Sequence, residues 1–281
     1  MNTNYGASGE SFGDVIAGMA LKCKEISHEE EGDYRNERGL LICGKCGEQK
    51  ECIFSSPFGQ GDMVVPCSCR CITERREREE KKRRADKARE AAFDGNAKML
   101  SMTFDNDDGT DKETTGFLKR YADGFDKLGG EGLLLWGLCG RGKTFSGVQV
   151  LNALIDSGKR CAFVKASEAA RAGNDYRSGT EYIKKLCRAD VLMIDDFGTL
   201  TDARSLDVLD ELIDGCVRNN VVLIVTTNIP LEEIKNPKDI THKRMYDRII
   251  EKCYPIEFDG RDRRRVNAGR TYLEVKKKLE R

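Results

Sequence analysis

No apolar run in the sequence approaches the roughly 20 residues needed to cross a bilayer as a helix, which excludes a helical membrane span. No secretory leader is expected either: the chain opens Met1-Asn2-Thr3-Asn4 with no basic segment. Its first apolar stretch, Val15–Leu21, is seven residues long and follows Glu10 and Asp14. Net charge is absent, since 48 Lys and Arg balance 48 Asp and Glu. Charged residues nevertheless make up 34% of the 281 positions, so the zero sums large local terms and excludes only a uniformly basic nucleic-acid coat. There is no internal repeat and no low-complexity tract beyond one charged helix. These absences predict a soluble, cytoplasmic chain of about two domains with reduced thiols. Its twelve cysteines are then metal ligands or small core residues, because disulfide scaffolds belong to short secreted chains.

Composition divides the chain into five segments. Residues 1–40 form an arm with eight acidic and four basic side chains, and a short helix is expected over Val15–Cys23 with Ser11 or Asp14 as its N-cap. Residues 41–71 carry Cys43-x-x-Cys46 and Cys67-x-Cys69-x-Cys71, with Cys52 between, punctuated by Gly and Pro. Residues 72–97 read as a charged linker helix rich in strong helix formers, with acids and bases at three- and four-residue spacings. Over residues 98–266 amphipathic helices, the first at Thr115–Leu128, alternate with short apolar strands at Gly132–Trp136, Cys161–Lys165, Val191–Ile194 and Val221–Thr226. That alternation predicts an α/β fold, a parallel sheet with helices on both faces. Residues 267–281 are a basic tail.

Directly after the first of these strands stands Gly137-Leu-Cys139-Gly140-Arg141-Gly142-Lys143-Thr144, the G-x-x-x-x-G-K-[ST] pattern in the strand–loop–helix setting it requires. Backbone N–H groups of such a loop curl round phosphates, and the following helix N-terminus adds partial positive charge. The loop residues Gly137, Cys139, Gly140, Arg141, Gly142, Lys143, Thr144 and Phe145 are therefore expected to bind ATP. Lys143 would reach the β- and γ-phosphates, and the Thr144 hydroxyl would ligate Mg²⁺. The strand Val191–Ile194 ends in Asp195-Asp196. Neighbouring strand side chains point differently, so Asp195 is assigned to Mg²⁺ and Asp196 to activation of the attacking water. The last strand ends in Thr226-Thr227-Asn228, where Asn228 is placed to orient that water.

These three motifs, with the stretch Lys243-Arg244-Met-Tyr-Asp-Arg248 that runs on to Arg265, resemble the AAA+ helicase loaders of the bacterial DnaC/DnaI type and their phage relatives, kin to IstB-type transposition ATPases. The resemblance covers roughly residues 98–266. It implies a P-loop AAA+ ATPase in which Arg244 is an arginine finger for a neighbouring subunit and Arg248 a second nucleotide-facing arginine, with the one acting in trans left open. Asp196 stands where AAA+ proteins more often carry Glu, which implies slow hydrolysis. The resemblance further implies self-association through the AAA+ domain, a DnaB-type replicative helicase as partner, and single-stranded DNA.

Five thiols, Cys43, Cys46, Cys67, Cys69 and Cys71, stand ready for the four soft ligands of a tetrahedral zinc site. Which one stands aside is open, with Cys69 and Cys71 together slightly preferred; an iron–sulfur cluster and unligated thiols are the alternatives. The resemblance implies a Cys-rich module ahead of the ATPase domain as well. Cys139, Cys161, Cys187, Cys216 and Cys253 are expected to be small core residues. Ten basic and six acidic residues over Arg70–Glu90, and nine and three over Gly260–Arg281, give two local positive excesses suited to a phosphate backbone. Only Tyr272 interleaves an aromatic, so base-specific reading is not expected.

Overall fold

The computed structural model describes residues 29–55, 62–237 and 240–265, with 272, 275–276 and 278–280. The helix expected over Val15–Cys23 and most of the basic tail lie outside the described residues. Two compact units divide the chain, Met1–Lys82 and Arg83–Arg281.

In the first unit β1 (Tyr34–Arg35) pairs antiparallel with β2 (Leu41–Ile42), and β3 (Glu51–Ser55) with β4 (Asp62–Pro66). Its apolar core is small: Cys43, Cys69 and Ile72 form a cluster against which Cys46 and Cys71 are half-buried. Lys50 is completely buried, and its ammonium meets Asp33 Oδ2 at 2.5 Å. The other Asp33 oxygen accepts the Gly44 N–H at 3.0 Å, so the pair pins the turn that carries Cys43 and Cys46. Buried charge is tolerated only when paired in this way. The Lys50 ammonium accordingly holds the Asp33 carboxyl down at about 2.

Helix α1 (Arg70–Ala92) follows from a run of strong helix formers without Gly or Pro. The boundary between the units falls inside it. Thr73 to Arg84 are exposed, as a solvated connector requires. Farther along, Ala85, Ala92 and the following Phe93 are buried in the core of the second unit, and Arg89 bonds Asn152 at 3.1 Å and pairs with Asp156. The second half of this helix, expected to be linker, is thus part of the ATPase unit, because Ala and the aliphatic stem of Arg can cover apolar surface.

The second unit continues through α2 (Ala97–Leu100), α3 (Lys112–Gly124), β5 (Gly132–Trp136), α4 (Lys143–Asp156), β6 (Cys161–Lys165), α5 (Ala166–Gly173), α6 (Gly179–Leu186), β7 (Val191–Phe197), α7 (Ala203–Arg218), β8 (Val222–Thr227), α8 (Leu231–Lys235), α9 (Ile240–Lys252) and β9 (Cys253–Glu257). Helix α3 starts three residues earlier than expected because Asp111 caps it, accepting the Thr114 N–H at 3.0 Å. The strands form one parallel sheet in the order β6-β7-β8-β5-β9. Alternation along each strand feeds two cores. Leu133, Leu135, Val191, Met193, Val222 and Ile224 pack under α3 and α4, while Leu134, Leu192, Ile194, Leu223 and Val225 pack under α5 to α9. A parallel α/β sheet covered on both faces was expected; β9 was not. Cys-Tyr-Pro-Ile-Glu follows α9 without a turn and contains a proline, and only its place at the sheet edge, beside β5 alone, makes that proline harmless.

Among the five cysteines expected in the core, Cys187, Cys216 and Cys253 are buried and Cys161 is half-buried. Cys139 is exposed, a correction to the expectation. The phosphate loop turns its backbone inward, and Leu138 and Cys139 face solvent.

Candidate nucleotide site and cysteine cluster

The site lies at the carboxyl ends of β5, β8 and β7, where parallel α/β sheets bind ligands. Residues 137–142 leave β5 in a path that needs glycine. At Gly137, φ is +136° and a Cβ would sit 2.4 Å from the Phe258 carbonyl oxygen; at Gly142, φ is +99°. The loop delivers Lys143 to the first turn of α4, 7% exposed, where its ammonium donates to Gly137 O at 2.7 Å, Leu138 O at 2.9 Å and Asn228 Oδ1 at 2.7 Å. Burial pulls the pKa of Lys143 down. All three donors point at oxygens, the atom type a phosphate offers, and the contact to Asn228 brings the end of β8 to the loop.

Asp195, 2% exposed, ends the regular part of β7. Its Oδ1 accepts the Thr144 hydroxyl at 2.8 Å and the Thr226 hydroxyl at 2.6 Å. Burial raises its pKa, and these two hydrogen bonds oppose the rise. Because Thr144 spends its only proton on Asp195, its oxygen lone pairs are left for a cation. A hard hydroxyl oxygen beside a carboxylate suits Mg²⁺. The ladder between β7 and β8 shifts register between Ile194 and Phe197, and Asp196 inside that bulge has φ +54°, rare for a residue other than glycine. The bulge separates the direction of Asp196 from that of Asp195. Phe145, Gly140 and Arg141 are half-buried around the loop, and Arg141 Nη1 donates to Phe258 O at 3.4 Å.

Arg244 and Arg248 lie on α9, which packs on the sheet face opposite to α4. Arg248, its side chain 18% exposed, pairs with Asp210 at 3.2 Å and with Asp214. Arg244, 69% exposed, lies 3.9 Å from Asp214. One arginine is therefore held by the acids of α7 while the other projects outward.

Several residues at the site were not foreseen from the sequence. Thr226 and Thr227 fasten the ends of β7 and β8: Thr227 Oγ1 donates to Phe197 O at 2.7 Å and accepts from the Ile229 N–H at 3.1 Å, which fixes the turn carrying Asn228. Asp262 and Arg263 lie on the loop itself. The Arg263 N–H donates to Gly140 O at 2.8 Å, and its guanidinium passes over Gly142 and reaches Asp108 at 3.6 Å. The sequence marks Gly260–Arg265 as basic and as the end of the stretch that carries the resemblance, without placing it; the edge strand β9 brings it to the loop.

In the first unit the sulfur atoms of Cys43, Cys46 and Cys71 lie within 4.8 Å of one another. Cys69 packs on Cys43 and burial raises its pKa, while its sulfur is not among the three that lie mutually within 4.8 Å. The Glu48 backbone N–H pulls Cys46 down to about 7, which favours the thiolate a metal needs. Cys67 turns elsewhere: its N–H bonds Lys50 O at 2.8 Å, extending the hairpin, and its thiol donates to Gln49 O at 3.3 Å. Burial, and next the neighbouring Cys52 thiol, push Cys67 up to about 12.

The IstB-like ATP binding protein family matches residues 70–270, well over half of the chain. The chain belongs to that family. This IstB-like ATPase is 26% identical over 188 residues to the replicative helicase loader DnaI of Bacillus subtilis (strain 168), a match covering 59% of each chain. The crystal structure of DnaI superposes with a TM-score of 0.51 at 23% identity, over 59% of this chain and 92% of that one. The structure of the DnaC helicase loader gives 0.50 at 21%, over 58% and 99%. At these identities the two structures show a shared AAA+ fold. No helix among the described residues of the IstB-like ATPase is long and apolar enough to cross a membrane.

Proposed function

We propose that this chain is an ATP-dependent loader of a replicative, DnaB-type hexameric helicase onto single-stranded DNA, in which ATP binding drives assembly and hydrolysis drives release. The observation that carries the reading is the convergence of Lys143, Thr144, Asp195 and Asn228 at one set of strand ends, in a chain similar to a replicative helicase loader. Gly137, Cys139, Gly140, Arg141, Gly142, Thr144 and Phe145 surround the phosphates with backbone donors, and Lys143 exchanges its oxygen partners for phosphate oxygens. Thr144 and Asp195 hold Mg²⁺, which supplies charge neutralisation on the β- and γ-phosphates. Asp196 accepts the proton of the attacking water, and Asn228 orients that water. Short Asp reaches less far than Glu, consistent with a slow timing step.

Arg244, exposed on α9, completes the nucleotide site of a neighbouring copy, with Arg248 anchored to α7 beside it. Cys43, Cys46 and Cys71, with Cys69 packed beside them, hold a structural zinc, since four thiols are a donor set zinc prefers and the Cys67 thiol is turned to Gln49 O. The zinc module grips the helicase, and the protein works in the cytoplasm. Mixing the chain with its cognate replicative helicase and ATP is the test: mass photometry is expected to show an ATP-dependent complex, and its absence overturns the loader reading. The IstB-like family match favours one second reading, an ATPase that assembles on duplex DNA to regulate transposition. ATP-dependent oligomers on duplex DNA, formed without any helicase, would select it.

A further inference from the structure

We infer that Thr226 is a positioning residue of the hydrolytic site, with a hydroxyl that sets both the metal carboxylate and the water-activating one. Its side chain is completely buried at the end of β8. The direction of both hydrogen bonds at this hydroxyl follows from chemistry. The Asp196 backbone N–H lies 3.0 Å from Thr226 Oγ1 and can only donate, so Oγ1 accepts there. The single hydroxyl proton is then free to go to Asp195 Oδ1 at 2.6 Å.

Both ends of this relay matter. In a regular ladder the Asp196 N–H would bond a backbone carbonyl of β8, but the bulge between Ile194 and Phe197 removes that partner. Thr226 supplies a side-chain acceptor in its place and so holds Asp196 at φ +54°, a conformation that persists only where surrounding contacts over-determine it. At the other end, Thr226 and Thr144 both donate to Asp195 Oδ1, which fixes the rotation of the carboxylate about its own bond. A valine at position 226 keeps the shape and loses both contacts. Asp196 would then relax and Asp195 would turn, although neither the phosphate loop nor Lys143 is touched.

This inference rests on the assignment of Asp195 to Mg²⁺, so the test compares Thr226→Val and Thr226→Ser with Asp195→Ala. Affinity for a fluorescent ATP analogue is measured in EDTA and in Mg²⁺, alongside kcat and KM. For Thr226→Val, affinity in EDTA stays within about twofold of wild type, while kcat and the Mg²⁺-dependent gain in affinity each fall about tenfold or more, the range of a hydrogen bond to a charged group. Thr226→Ser, which restores the hydroxyl alone, returns both to within about twofold. A folded Thr226→Val protein with wild-type kcat and Mg²⁺ gain overturns the inference. If the valine variant does not fold, the serine variant decides, because a tenfold loss of kcat with ATP still bound would show that the methyl and not the hydroxyl is what matters. Asp195→Ala that keeps the Mg²⁺ gain would instead sink the metal assignment, whatever Thr226 does.

Discussion

The nucleotide site and the cysteine cluster solve the same problem, holding several polar groups in fixed directions, with opposite resources. In the second unit a five-stranded parallel sheet with two large apolar cores fixes the strand ends, and the functional side chains extend from that frame. Among its described residues the first unit has two small hairpins and few buried apolar side chains, Leu40, Leu41 and Ile42 beside the cluster of Cys43, Cys69 and Ile72. Its most deeply buried polar constraint among the described residues is the Lys50–Asp33 pair. A site on a large core tolerates loss of its ligand, whereas a site that is itself the core does not.

The sharpest way to break this contrast is at Lys143. Lys143→Ala is expected to weaken ATP binding by roughly a hundredfold or more, because a charge-assisted contact to phosphate is lost, while the melting of either unit is unchanged. ATP titration by fluorescence checks it, and unchanged affinity contradicts the site. Metal removal comes next. A strong chelator is expected to make proteolysis of residues 29–82 fast and leave the ATPase unit resistant, so that limited proteolysis with mass spectrometry yields a fragment starting near Arg83. Equal resistance of both units would mean that the cysteine module needs no metal.

Asp33→Asn tests the module from its other side. It removes one carboxylate from the buried Lys50 ammonium and should destabilise the first unit by about 3 kcal/mol, with ATP affinity unaffected. The smallest effect distinguishes the thiols. Cys67→Ser should keep about one zinc per chain by metal analysis, whereas Cys69→Ser should lose it; the reverse result would exchange their roles.

How far each region could be read in the sequence follows from the same contrast. Lys143, Thr144, Asp195 and Asn228 end contiguous motifs on apolar strands, so local pattern and chemistry agree and both fold class and most of the site are legible. Thr226 was passed over because its role depends on a bulge in a different strand. Arg263 was invisible beside the loop because β9, which carries it there, contains a proline and follows a helix directly. Among the five thiols, spacing leaves the choice open; the pairing of Cys67 with Lys50, an extension of the β3–β4 register, is what turns that thiol toward Cys52. The second half of α1 has the same charged composition as its first half, and only Ala85, Ala92 and Phe93 reveal its packing.

Transfer of the helicase onto a closed circle of single-stranded DNA tests the loader reading most directly, since a ring can reach a circle only by opening. With the chain and ATP present, helicase should be retained on the circles after a salt wash, and the Lys143→Ala protein should retain none. Equal retention without the chain or without ATP would contradict the proposed function.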